Sequence, residues 1–127
     1  MLSDGVITQT EYDAVPPRML VNIFASPLGV RMLRSSHVER EWAFTFRTAA
    51  QDGTVQLVQG VIDCCFEEDR KWVLVDYKTD SPSDVSGAIE RHRPQLEIYA
   101  KALETITKMP VQERVLYLVR AGAGYVV

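Results

Sequence analysis

Two aspartates and a lysine stand where strands have little use for them. Asp63 lies inside the apolar run 58–66 and Asp76 inside the run 72–77, with residues 67–71 as a charged turn between them, so the stretch reads as a hairpin. Aspartate is disfavoured within strands, and an uncompensated carboxylate is expensive to desolvate. Side chains alternate along a strand, so Asp76 and Lys78 share one face while Val75 and Tyr77 take the other. A hairpin register that also sets Asp63 beside Asp76 brings two carboxylates close to one ammonium. That is a ligand set for a hard divalent cation such as Mg2+ or Mn2+, which would in turn activate a water molecule. The plainer reading of the same residues is a buried Asp76–Lys78 ion pair.

The elements that must position these groups follow from periodicity. Residues 1–17 are polar, with few core candidates, and read as a partly ordered lead-in. Residues 18–34 place Met19, Leu20, Ile23, Phe24, Leu28, Met32 and Leu33 at helical spacing, with Pro27 and Gly29 dividing them into two short helices. Residues 37–48 read as a strand with Trp42, Phe44 and Phe46 on one face and Glu41, Ala43 and Thr45 on the other. The turn AAQDG at 49–53 then returns the chain into the strand that carries Asp63. Residues 79–93 read as a connection with one or two helical turns. Pro94 suits the first turn of a helix whose apolar face is Leu96, Ile98, Tyr99, Ala100, Leu103 and Ile106. Gln95 and Tyr99 are four apart and share a side of that helix. A strand at 111–119 and a short terminal one at 125–127 complete an α/β sandwich around a central mixed β-sheet flanked by helices.

The succession of GVID at 60–63, DYKTD at 76–80 and QLEIY at 95–99 resembles the RecB/AddA-type branch of the PD-(D/E)XK nuclease superfamily. That branch is the C-terminal nuclease domain of bacterial helicase–nucleases, and the likeness is to AddA in particular. It extends upstream through FASPLG at 24–29 and REWAF at 40–44, and so covers nearly the whole chain. The resemblance implies a restriction-endonuclease-like fold in which Asp63, Asp76 and the backbone carbonyl of Tyr77 hold one or two Mg2+. It implies that Lys78 stabilises developing negative charge and that Glu41 helps orient a metal-bound water. It gives Gln95 and Tyr99 the task of positioning a phosphate or a water. The implied reaction is exonucleolytic hydrolysis of DNA, on single-stranded ends fed by a helicase region of the same or a partner chain, alongside an AddB-like subunit, in double-strand-break repair and recombination.

One departure matters. The related nucleases carry a further metal ligand, a histidine on a helix upstream of the strands, and neither His37 nor His92 occupies the matching position. The expectation is therefore a single nuclease-like domain over 1–127 that lacks that helix, as a fragment or a shortened relative, and is weakly active or inactive alone. The iron–sulfur branch typified by AddB needs four cysteines, whereas this chain has Cys64 and Cys65 only.

Composition sets further bounds. A chain of 127 residues that is 46% hydrophobic can bury a core without disulfides or structural metal. A net charge of −3 and a pI near 5.4 argue against broad attraction to nucleic acid, so any DNA contact is local, metal-assisted or borrowed from a larger assembly. Cys64 and Cys65 are adjacent, point to opposite faces of a strand and cannot bridge each other; free thiols fit a reducing cytoplasm, the expected location. No apolar run approaches transmembrane length and no membrane partner is expected. The glycines near residue 122 lack the lysine and helix of a phosphate-binding loop, so the chain shows no ATP site.

Plainer roles remain beside these. Glu41 could pair with Arg40 or Arg47, Tyr99 could be a core residue with its hydroxyl at the rim, and Arg91, His92 and Arg93, like His37, could be solvated surface. Two functions of different classes follow: a metal-dependent deoxyribonuclease domain, or a non-catalytic module of nuclease fold that binds DNA or a helicase partner.

Overall fold

The computed structural model describes residues 26–127. The expected polar lead-in and the first of the two short helices lie outside the described residues. The elements run α1 (Pro27–Arg34), β1 (Val38–Ala49), β2 (Val55–Glu68), β3 (Lys71–Lys78), α2 (Val85–Thr107), β4 (Val111–Leu118) and β5 (Ala123–Val126). They build the mixed sheet anticipated from the sequence, in spatial order β1-β2-β3-β4-β5. Three of the pairings are antiparallel and β3 with β4 is parallel. The parallel pair requires a crossover, and α2 supplies it.

Each face of the sheet is buried under one helix. On the α2 side, Leu96, Tyr99, Ala100 and Leu103 pack with Trp72, Leu74, Leu116 and Leu118. On the α1 side, Met32 packs with Cys64, Phe66, Val73, Val75, Val115 and Tyr117. Cys64 and Cys65 point to opposite faces, as alternation requires, and both are free and buried. Helix α1 is capped by Ser26, whose Oγ accepts from the Gly29 N–H at 3.2 Å, with Pro27 beginning the helix. Arg31 fastens α1 across the sheet, with charge-assisted bonds to both Glu68 oxygens (2.7 and 3.0 Å) and both Glu113 oxygens (2.8 and 3.1 Å).

Two features depart from the simple reading. Helix α2 starts at Val85 and runs through Pro94, nine residues further than a helix with this proline in its first turn. Val85, Ala88 and Ile89 extend the apolar stripe onto the core. The bond that Pro94 cannot donate is lost on an exposed face, since Pro94 and Glu90 are both exposed. The second departure lies in β1 and β2. Val38 faces the α1 side but Trp42, Phe44 and Phe46 face the α2 side; Cys64 and Phe66 face α1 while Ile62 faces α2. The two strands therefore exchange faces together between Arg40↔Cys64 and Trp42↔Ile62. Glu41 marks the exchange with φ of 49°, the left-handed region, inside a strand. Beyond it the hairpin curls over α2, and Phe44 meets Tyr99 edge-on at 5.3 Å.

The β2–β3 hairpin closes through Asp69 and Arg70, whose φ values of 54° and 62° are both left-handed, between the paired residues Glu68 and Lys71. Two-residue turns of this kind match the sheet twist but favour Asn or Asp followed by Gly. Arg70→Gly is expected to stabilise the domain by about 0.5–1 kcal/mol, because relief of the left-handed side-chain strain exceeds the glycine entropy term. Thermal melts should show the midpoint rising by about 2–4 °C.

Candidate active site

The site begins where two strands part. β2 pairs with β3 from Glu68↔Lys71 back to Cys64↔Val75, and there the ladder ends. From that point β2 continues with β1 alone, and β3 continues with β4. In an unbroken ladder Tyr77 would lie opposite Ile62. Instead the Tyr77 N–H donates to Asp63 Oδ2 at 2.9 Å. A carboxylate thus replaces a strand carbonyl and is held at the mouth of the fork, beside Asp76.

Asp76 is 2% exposed and Lys78 7%. Lys78 Nζ lies 3.4 Å from Asp76 Oδ2, so the buried ion pair is present. It does not satisfy the carboxylate: Asp76 Oδ2 accepts no hydrogen bond, one of two such buried side-chain atoms among the described residues, with the Tyr117 hydroxyl. Burial raises the pKa of Asp63 to about 9, reinforced by the charge of Asp76 and a hydrogen bond with it. Two carboxylates this close repel each other, and a cation between them relieves that repulsion. An orphaned anionic oxygen facing a second carboxylate is a donor set that fits a hard divalent cation. Among the described residues no third His, Cys, Asp or Glu joins the cluster. Any remaining ligands are then backbone or solvent oxygens, and the Tyr77 carbonyl follows directly on Asp76 in the chain.

Helix α2 closes the fork from above. Tyr99 is buried, and its hydroxyl oxygen accepts from Gln95 Nε2 at 3.2 Å. Its ring lies so close to β2 that a Cβ on Gly60 would come within 2.9 Å of Cε1 and of the hydroxyl. Burial, then the charges of Asp76 and Asp63, push the Tyr99 hydroxyl up to about 12. Gln95 and Tyr99 therefore share a side and lie beside the carboxylates, and Tyr99 is a core residue as well.

The other candidates fall elsewhere. Glu41 lies between the pairs Arg40↔Cys64 and Trp42↔Ile62, across from Asp63, but its side chain is exposed rather than turned into the fork. The basic cluster is internally neutralised: Arg91 bonds Asp80 at 2.7 Å and Asp84 at 3.0 Å, His92 bonds Asp80 at 2.9 Å, and Arg93 bonds Glu90 at 2.7 Å. His37 is a surface residue against Glu39 and Trp72. Sequence reasoning passed over Asp80, the last residue of the DYKTD stretch. It ties the connection after Lys78 to α2, and a second acid two residues after the lysine was the signal available for it.

The raised Asp63 has a consequence for stability. The folded state retains a proton there that the unfolded chain releases above its ordinary value of 3.8, so this contribution is complete below that pH and is lost as the pH rises toward about 9. Asp63→Asn stays neutral throughout. In melts with EDTA the variant should match the wild type near pH 4 and exceed it by a margin that widens as the pH rises, reaching several kcal/mol by pH 8.

Comparison with known proteins agrees with this architecture. The profile described as the PD-(D/E)XK nuclease superfamily matches residues 11–127. The chain is 35% identical to the A subunit of the ATP-dependent helicase/nuclease of Lysinibacillus sphaericus (strain C3-41), over 93% of this chain and 10% of that protein. It is 37% identical to the protein of that name from Desulforudis audaxviator (strain MP104C), over 95% and 11%, and 41% identical to that from Alkaliphilus metalliredigens (strain QYMF), over 98% and 11%. The chain thus spans about a tenth of the length of the curated relatives it matches. Among solved structures, the crystal structure of SSO0001 has the same fold, with a TM-score of 0.51 and 19% identity over 94% of this chain and 58% of that one. A match over this much of the chain, on a sheet of this topology, makes the chain a member of the PD-(D/E)XK nuclease superfamily, related in sequence to helicase/nuclease A subunits.

Proposed function

We propose that the chain is a metal-dependent deoxyribonuclease domain that hydrolyses phosphodiester bonds of DNA. The single observation that carries this reading is the fork: Asp63 and Asp76 held together, with Asp76 Oδ2 buried and unsatisfied and Lys78 Nζ 3.4 Å from it. Asp63, Asp76 and the Tyr77 carbonyl would hold Mg2+, or Mn2+ in its place. When bound, the cation polarises the scissile phosphate and lowers the pKa of a coordinated water.

The chain's own groups do the rest. Lys78 holds a fixed positive charge at a dry site, where it stabilises the negative charge that develops on the phosphoryl oxygens. Tyr99, oriented by Gln95 and placed beside the carboxylates, hydrogen-bonds through its hydroxyl to an oxygen of the substrate or its water. Glu41, exposed on β1 across from Asp63, orients water from the solvent side. The relatives' name, which pairs helicase with nuclease, supports a setting in which the domain acts on single-stranded DNA ends delivered by a helicase region, with an AddB-like subunit, in double-strand-break repair and recombination in the cytoplasm. The neutralised cluster at residues 91–93 fits that setting, since it leaves little basic surface for the domain to capture DNA unaided. A second reading is a non-catalytic module of nuclease fold that binds DNA or a helicase partner, and the same observation speaks for the helicase partner.

Linear DNA incubated with the chain and Mg2+, and with a longer chain carrying the helicase region, separates the two. The nuclease reading expects degradation that falls by about 10²–10³ in Lys78→Ala and disappears in Asp76→Ala or with EDTA. Absence of degradation in every form, or degradation indifferent to both substitutions, would overturn the nuclease reading and favour the binding module.

A further inference from the structure

Lys78 stands between two acids. Asp76 lies two residues before it and Asp80 two residues after it, and both turn to the α2 side: Asp76 by strand alternation, Asp80 by its bonds to His92 and Arg91 of that helix. The ammonium serves the first, 3.4 Å from Asp76 Oδ2. Asp80 is engaged at both oxygens, Oδ1 with His92 Nε2 at 2.9 Å and Oδ2 with Arg91 at 2.7 Å. Arg91 is itself tied to Asp84 at 3.0 Å. On α2, His92 falls four residues after Ala88 and four before Leu96, both fully buried, so it occupies the row that faces the sheet. A leucine there would extend the packing, whereas the imidazole needs Asp80 as a partner.

We infer that His92 and Arg91 are positioning residues for Lys78: by occupying Asp80 they deny the ammonium its second acid and leave it at Asp76. Lysine has a long, flexible stem, and its ammonium settles where the field of nearby carboxylates is strongest. The pull of the fork acids weakens once a cation is held between them. An open Asp80 would then draw Lys78 away from the place where negative charge develops. The inference deepens the nuclease reading and rests on it for the task given to Lys78.

Arg91→Gln combined with His92→Leu opens both Asp80 oxygens and keeps the sheet-facing row of α2 apolar. On linear DNA with Mg2+ the double variant is expected to lose about tenfold in kcat with KM little changed, as for other residues that orient the groups of a site. Acetylation of the Lys78 amine by acetic anhydride, followed by mass spectrometry in Ca2+ without DNA, should become faster, since the ammonium leaves a place where the residue is 7% exposed. Adding Asp80→Asn removes the competing charge and should return both quantities toward wild type. Wild-type kcat or wild-type labelling in the double variant overturns the inference. So does a loss that Asp80→Asn fails to recover, which would make the cluster a structural tie alone. Should the double variant fail to fold, His92→Leu by itself frees one Asp80 oxygen, and a smaller change in the same directions is expected; no change would count against the inference. A wild-type chain that cuts no DNA in any form removes the nuclease reading, and the Lys78 labelling comparison then decides this inference by itself.

Discussion

Like charges buried together are the constraint around which the rest of the structure is arranged. Asp63 and Asp76 are brought into one dry space by strands that run in register up to Cys64↔Val75 and then separate. A continuous ladder would bury the same backbone with ordinary carbonyl partners and leave no room for a carboxylate. The fork instead satisfies the Tyr77 N–H with Asp63, and it leaves Asp76 Oδ2 without a hydrogen-bond donor. The aliphatic packing on both faces supplies the stability that such a site draws down. Leu74, Leu96, Leu116 and Leu118 lie directly beside it on the α2 side.

Much of this was legible in the residues, for reasons of parity. Alternation alone puts Asp76 and Lys78 on one face and Val75 and Tyr77 on the other, and the structure keeps that arrangement. The strands, the charged turn at residues 67–71 and the mixed sheet follow from apolar runs and their breaks. The true start of α2 was hidden by Pro94, because a proline within a helix costs one hydrogen bond and the exposed side of a long amphipathic helix tolerates that loss. The face exchange at Glu41 was hidden more deeply. It depends on one residue adopting φ of 49° against its preference, which tertiary packing dictates and no periodicity records.

Charge is distributed so that most of it is spent within the protein. Arg31 is engaged by Glu68 and Glu113, whose bonds raise its pKa further above the usual guanidinium value. Arg91 and His92 bind Asp80, and Asp80 in turn is held below the ordinary carboxylate range by them, against the opposing effect of its own burial. These pairs fix α1 and the start of α2 to the sheet. They also keep the surface near the fork from presenting a broad positive field, which places the burden of recognition on the site itself.

The turn at Asp69–Arg70 gives the hairpin a property that chain distance does not express. The two acids meet because the residues are counted inward from the turn on both strands at once, so that Glu68 faces Lys71 and each further step is matched. Lengthening the loop leaves that count untouched, and the acids still meet. A single residue added within either strand alone turns one carboxylate to the opposite side of the sheet. Homologous sites on this hairpin can thus vary widely in the separation of their acids along the sequence while remaining superimposable, and a search pattern of fixed length will overlook sites that share this register.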